Sequence, residues 1–230
     1  MKRKLFSVYQ PILNLRTSKV MGYEALTRGV GKKGSPEILF REAYEKGSSI
    51  HLDLACLYSA LRVLPKLKKH EFLFVNVEPT TLSRAFVHGE AGHFLLKRIT
   101  AHGRQIVFEL TEGMKGRDFT LVRKAVKLLR KYHCRFALDD IAGIGFKLFR
   151  LLSLKPDFMK LDISLVKGIS DSHLHRELVH RLLVLGRRHN SLIVAEGLEY
   201  RRDVDLVRKM GIPFVQGFYF ARPKRNLLKG

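Results

Sequence analysis

The stretch "RFALDDIAGIG", residues 135–145, joins an apolar run to a pair of acids. Phe136, Ala137 and Leu138 read as a strand buried on both faces, because the run is continuous instead of alternating. Asp139 and Asp140 follow at once. A buried carboxylate is costly unless it is paired, protonated or bound to a metal. Runs of the same kind recur along the chain: "FSVYQPI", "MGYEAL", "FLFVNV", "IVFELTE", "FMKLDI", "LIVAEG" and "FVQGFY". Helical segments separate most of them. In "FTLVRKAVKLLRKYH" (119–133), Leu121, Val122, Ala125, Leu128 and Leu129 share one side, and the cations fall largely on the other. "HRELVHRLLVLGRRHN" (175–190) repeats the plan. Strands alternating with helices over this length predict an α/β fold, a TIM-like (β/α)8 barrel. "NLRTSK" (14–19) is too short for a helix, so the barrel is expected to begin with an antiparallel hairpin.

The chain has 230 residues, 46% of them hydrophobic, enough for one large domain with a sizeable core. No linker or low-complexity stretch divides it, so residues 1–230 read as a single domain. Cys56 and Cys134 stand alone in apolar contexts, with no CxxC, so neither a thiolate zinc site nor a disulfide framework is suggested and both read as small core residues. Tyr9, Gln10, Pro11 and Asn14 break what could be a signal-peptide core, and no stretch approaches the roughly 20 apolar residues of a membrane span. The expected location is the cytoplasm. The net charge of +22 points to an anionic partner, either nucleic acid or an acidic membrane surface.

The strand ends are polar in a regular way. Glu24, Asn76, Glu109, Asp139 with Asp140, Lys160 with Asp162, Glu196 and Gln216 each close a strand-like run. In a barrel of this kind those ends meet at one mouth, where active sites lie. Carboxylate and amide oxygens are hard ligands, suited to Mg²⁺ or Mn²⁺. One carboxylate shared between two ions makes a two-metal site for in-line phosphoryl displacement, and metal coordination would offset the burial of Asp139 and Asp140. A lysine among the acids could orient the attacking water or stabilise charge building on phosphate.

Taken together, these blocks resemble the EAL domain family, bacterial phosphodiesterases that open cyclic di-GMP to linear pGpG. "YEALTR" (23–28) contains the signature Glu24-Ala25-Leu26 with its arginine. "YQPI" (9–12), "NVEP" (76–79), "FELTE" (108–112), "LDD" (138–140), "KLD" (160–162), "AEGLE" (195–199) and "VQGFYFARP" (215–223) follow in the family's order. The resemblance implies that Glu24, Asn76, Glu109 and Asp139 bind one metal, and that Asp139, Asp140 and Glu196 serve a second. It implies catalytic roles for Lys160, at the attacking water, and for Glu196. Arg28 would hold substrate phosphate, and Gln10, Leu26 and Gln216 would line the nucleotide pocket. Glu112 would brace the loop after Asp140, with Asp162 and Glu199 as supporting acids. A homodimer is also implied.

The loop after the paired aspartates departs from the family. Phe-Gly-x-Gly, an aromatic and two serines are usual there; this chain has Ile141, Ala142, Gly143, Ile144, Gly145, Phe146 and Lys147. Ala142 and β-branched Ile144 resist positive φ, so a different loop path is expected. Two readings therefore stay open. One is an active phosphodiesterase; the other is a catalytically impaired domain that acts as a cyclic di-GMP receptor or protein-interaction module. Other features read as structural. "GKKGSPE" (31–37) lacks P-loop spacing and reads as a loop, and His173 and His175 sit near an expected helix start.

Overall fold

The structure is a computed structural model that describes residues 5–30, 35–88, 92–111 and 118–228. Eight strands close into one barrel in sequence order. They are β1 (Leu5–Asn14), β2 (Val20–Gly29), β3 (Phe72–Asn76), β4 (Ile106–Leu110), β5 (Arg135–Ile141), β6 (Phe158–Leu161), β7 (Leu192–Ala195) and β8 (Phe214–Val215). Strands β2 to β8 run parallel, while β1 is antiparallel to both neighbours. The expected hairpin is therefore present, and it makes β1 the one inverted stave of the barrel.

Helices α1 (Pro36–Glu45) and α2 (Ser49–Ala60) precede β3, α3 (Pro79–Val87) and α4 (Gly92–His102) precede β4, and α5 (Asp118–Arg130) precedes β5. The short α6 (Phe146–Leu152) leads to β6, α7 (Ile163–Val166) and α8 (His173–Arg188) to β7, and α9 (Arg201–Lys209) to β8. In α5, Val122, Ala125 and Leu129 are buried while Arg123, Lys124 and Lys127 are exposed, as the 3.6-residue period requires.

The strand expected over 214–219 is shorter than its sequence suggests. Only Phe214 and Val215 pair, because Gly217 turns the chain away: a Cβ there would lie 2.1 Å from the Leu198 carbonyl oxygen. The gap beside so short a strand is filled from downstream. Tyr9 and Lys224 exchange backbone hydrogen bonds at 2.7 and 3.0 Å, and the Gln10 side-chain amide donates to the Ala221 carbonyl at 3.1 Å.

Two apolar layers hold the fold. The larger lies between strands and helices. The smaller fills the barrel bore with Ile12, Phe74, Val107, Ala137, Phe158 and Val194. The Phe158 ring meets Phe74 edge-on at 5.0 Å and Phe72 at 5.9 Å.

Candidate active site

The bore residues explain where the polar ones stand. Side chains two apart on a strand share a face. Asn76 follows Phe74 by two, Glu109 follows Val107, Asp139 follows Ala137, and Lys160 follows Phe158. Glu196 follows Val194 and Gln216 follows Phe214 in the same way. On inverted β1 the order reverses, so Gln10 precedes Ile12, and Gln10 lies opposite Glu24. One polar tier thus sits directly on an apolar floor. The run that reads as continuously apolar in sequence hides this alternation, because outward positions are buried under helices as well.

At the centre of the tier is the fully buried Lys160. Its Nζ lies 2.5 Å from Glu109 Oε1, 2.8 Å from Glu196 Oε1, 2.9 Å from Asp139 Oδ1 and 3.6 Å from Glu24 Oε2. Burial opposes its charge, but these carboxylates outweigh burial and hold the ammonium well above the usual lysine range. Burial pushes the Glu109 carboxyl well up, with Lys160 working against it and the neighbouring acids reinforcing it; Glu196 is raised in the same manner. Asp140, at the rim, is raised by partial loss of solvent around its carboxyl and by Asp139 beside it.

Amides complete the tier. The Gln216 amide donates to Glu24 Oε2 at 2.6 Å and to Gln10 Oε1 at 3.0 Å, and Asn76 donates to Glu24 Oε1 at 3.3 Å. Glu109 Oε2 is buried without a hydrogen-bond partner. Oxygens of Glu24, Glu109 and Asp139 lie within 4.8 Å of one another, a spacing that suits a shared cation. The donor set therefore fits a hard metal: carboxylates in excess, two orphaned oxygens (Glu109 Oε2 and Gln216 Oε1), and no soft ligand among them.

Above the tier is a cavity of about 270 Å³ lined by Gln10, Leu26, Asp140, Asp162, Glu199 and Gln216, among others. Leu26 also lines an adjoining cavity of about 230 Å³ that holds Arg28 and Asn76. Arg28 thus stands beside the mouth cavity and donates to the Thr27 carbonyl. Asp162 caps the short α7 through Ser164 N–H, and Glu199 pairs with Lys167 at 2.9 Å. Glu112 lies outside the described residues.

The departing loop reaches its path without strain at Ala142 or Ile144, since neither has positive φ. The left-handed residue is Asp140, at φ 56°, where the pairing of β5 with β6 skips a residue. Aspartate tolerates that region better than most side chains. Asp140 is exposed where Asp139 is buried, so the two adjacent carboxylates part company at this bulge.

Sequence reasoning passed over Asp53. It is buried on α2 and accepts the Glu78 N–H at 2.9 Å, which ties down the chain just after Asn76. Burial raises its carboxyl from 3.8 to about 7. The available signal was an acid inside an otherwise apolar helix face, "SIHLDLACL" (49–57).

The family described as "EAL domain" matches residues 1–223. The chain is 27% identical over 227 residues to the cyclic di-GMP phosphodiesterase PdeF of Escherichia coli K12, covering 95% of this chain and 30% of that protein. It is 24% identical to the uncharacterized EAL-domain protein YkuI of Bacillus subtilis, covering 96% and 55%. The chain thus spans well under two thirds of these relatives' lengths. Among solved structures, the Klebsiella pneumoniae BlrP1 complex with calcium and cy-diGMP superposes with a TM-score of 0.83 at 28% identity, covering 97% and 57% of the two chains. A standalone EAL protein of Vibrio cholerae O395, in its c-di-GMP-bound form, gives 0.84 at 24% identity and covers 97% and 94%, which establishes the shared barrel.

Proposed function

This chain belongs to the EAL domain family, and from that premise we propose that it is a metal-dependent phosphodiesterase hydrolysing cyclic di-GMP to linear pGpG. The observation that carries the reading is the buried tier in which Glu24, Glu109, Asp139 and Glu196 surround Lys160. With Asp140 at the mouth, five carboxylates face one ammonium, a surplus of negative charge that two divalent cations would balance. Relatives support the substrate: PdeF is named for this activity, and the BlrP1 structure carries the same nucleotide.

Two Mg²⁺ or Mn²⁺ ions, one at Glu24, Asn76, Glu109 and Asp139 and one at Asp139, Asp140 and Glu196, would activate water and neutralise the scissile phosphate. Lys160, held as an ammonium by its carboxylate neighbours, would contact the attacking water. Glu196, in contact with that ammonium, would serve the second ion and the catalytic step. Arg28 holds phosphate from the adjoining cavity, while Gln10, Leu26 and Gln216 shape the wall against the nucleotide. Asp162 and Glu199 support the rim.

We assign the cytoplasm and a single domain over 1–230; among the described residues no helix is long and apolar enough to cross a membrane. A homodimer through the region of α6 is favoured by apolar side chains in water, Phe146 at 85% exposure and Phe149 at 53%. An anionic macromolecular partner is proposed from the net charge of +22.

The test is hydrolysis of cyclic di-GMP by the purified chain with Mn²⁺ or Mg²⁺. Formation of pGpG, abolished by Glu24→Ala, is expected. Saturable nucleotide binding without product would replace the enzyme with a receptor.

A further inference from the structure

The end of the barrel opposite the mouth carries a charge pattern the catalytic reading does not use. Every connection entering a strand there is basic. The β1–β2 turn has Arg16 and Lys19, the segment before β3 has Lys66, Lys68 and Lys69, and Arg104 precedes β4. Lys131 precedes β5, and Lys155 precedes β6. The last turns of α8 and α9 add Arg187 with Arg188 and Arg208 with Lys209. All of these side chains are exposed, and among the described residues none has an ion-pair partner.

Acids are nearly absent from the same connections. Residues 15–19, 61–71, 103–105, 131–134, 153–157, 189–191 and 210–213 contain two, Glu71 and Asp157. Both are occupied: Glu71 is buried and accepts the Lys68 N–H, and Asp157 accepts the Phe136 N–H and pairs with Arg130. The connections are also tied into one face. The Gln105 amide donates to the Lys68 carbonyl at 2.9 Å, Arg135 donates to the Arg104 carbonyl at 2.7 Å, and Arg130 bonds the Lys155 carbonyl. The cations before β3, β4 and β6 therefore stand on connections hydrogen-bonded to one another or to the neighbouring elements.

We propose that this face binds nucleic acid through its phosphodiester backbone, without base preference. Charge complementarity supplies the attraction, since duplex DNA presents a negative charge about every 1.7 Å. Two observations favour a nucleic acid over a lipid surface. The basic surface continues from the base up the flank of α5 through Arg123, Lys124 and Lys127, which a planar bilayer resting on the base would not touch. Among the described residues, Leu192 and, one turn before Arg188, Val184 are large apolar side chains exposed near this end, too little to anchor in a membrane. Exposed aromatic rings for base stacking are missing from these connections, so the contact is to backbone phosphate and not to bases.

The test is fluorescence anisotropy of a labelled random-sequence 30-base-pair DNA duplex with the whole chain. Binding is expected at 50 mM NaCl, weakening by about a thousand-fold at 200 mM if some six phosphates are engaged. Lys68→Glu with Lys69→Glu should weaken binding at least ten-fold. Arg201→Glu with Arg202→Glu changes net charge equally at the opposite end of the barrel and should have a much smaller effect. Equal losses from the two pairs would overturn the assignment to this face. No duplex binding at 50 mM NaCl, or binding only to vesicles containing phosphatidylserine, would overturn the nucleic-acid reading. Circular dichroism melts of all variants separate loss of contact from loss of fold.

Discussion

Asp53 and Asp203 are both buried acids on helices, and their surroundings drive them in opposite directions. Burial would raise Asp203 too, but Ser170 Oγ and N–H, with Gly168 N–H, donate to it at 2.7–3.1 Å and bring it below the ordinary value. Asp53 has fewer donors, so burial prevails and its carboxyl reaches about 7. The folded chain then holds a proton there that the unfolded chain releases above about 4. The resulting stability is complete below that pH and is lost as pH rises through 7. Asp53→Asn keeps an oxygen for Glu78 N–H and carries no charge. Melting curves should show the variant close to wild type near pH 4 and more stable at pH 8, by about 4 kcal/mol at most. Parallel pH profiles would contradict the raised carboxyl. The sequence marks Asp53 as an acid in an apolar helix face but not what it meets, because an acid on a helix looks the same whether it faces water or a loop's N–H groups.

At the level of elements, the connections that leave the mouth differ in how tightly they are constrained. Gly197 follows Glu196, has φ 69°, and a Cβ there would come within 2.2 Å of Ile163. Gly143 in the departing loop has no positive φ, and a Cβ there would meet nothing within 4 Å. Gly197→Ala should therefore destabilise by about 2–4 kcal/mol and disturb Glu196, whereas Gly143→Ala should shift stability by less than about 1 kcal/mol. Thermal melts and phosphodiesterase assays of the pair check this, and equal effects would count against it. The sequence displays both glycines alike. It made the β1–β2 hairpin readable through the shortness of "NLRTSK", and it overextended β8, whose end is set by backbone crowding between Gly217 and Leu198 that no local pattern records.

For the molecule as a whole, the barrel and its polar rim were legible together because strand ends repeat a common chemistry seven times. The tiering of polar side chains above an apolar bore was not, since helices bury the outward positions and erase alternation. The tier's surplus of carboxylates makes a global prediction. Mn²⁺ should raise the melting temperature at pH 8, and the increment should shrink toward pH 6, because the raised carboxyls of Glu109 and Glu196 take up protons in competition with the ion. Differential scanning fluorimetry across pH reads this directly. An increment independent of pH, or none, would speak against a metal at these carboxylates.

The seam between β1 and β8 joins segments far apart in the chain. Gln10 is joined to Gln216 and Ala221 across separations of 206 and 211 residues, and Tyr9 is paired with Lys224. These are among the longest loop closures a chain of this size can make, and such contacts form slowly. During synthesis the first stave therefore waits, with one edge unpaired, until the eighth leaves the ribosome. The wall of the mouth that carries Gln10 and Gln216 joins residues 206 apart, so a nascent chain has no complete site until its barrel has closed.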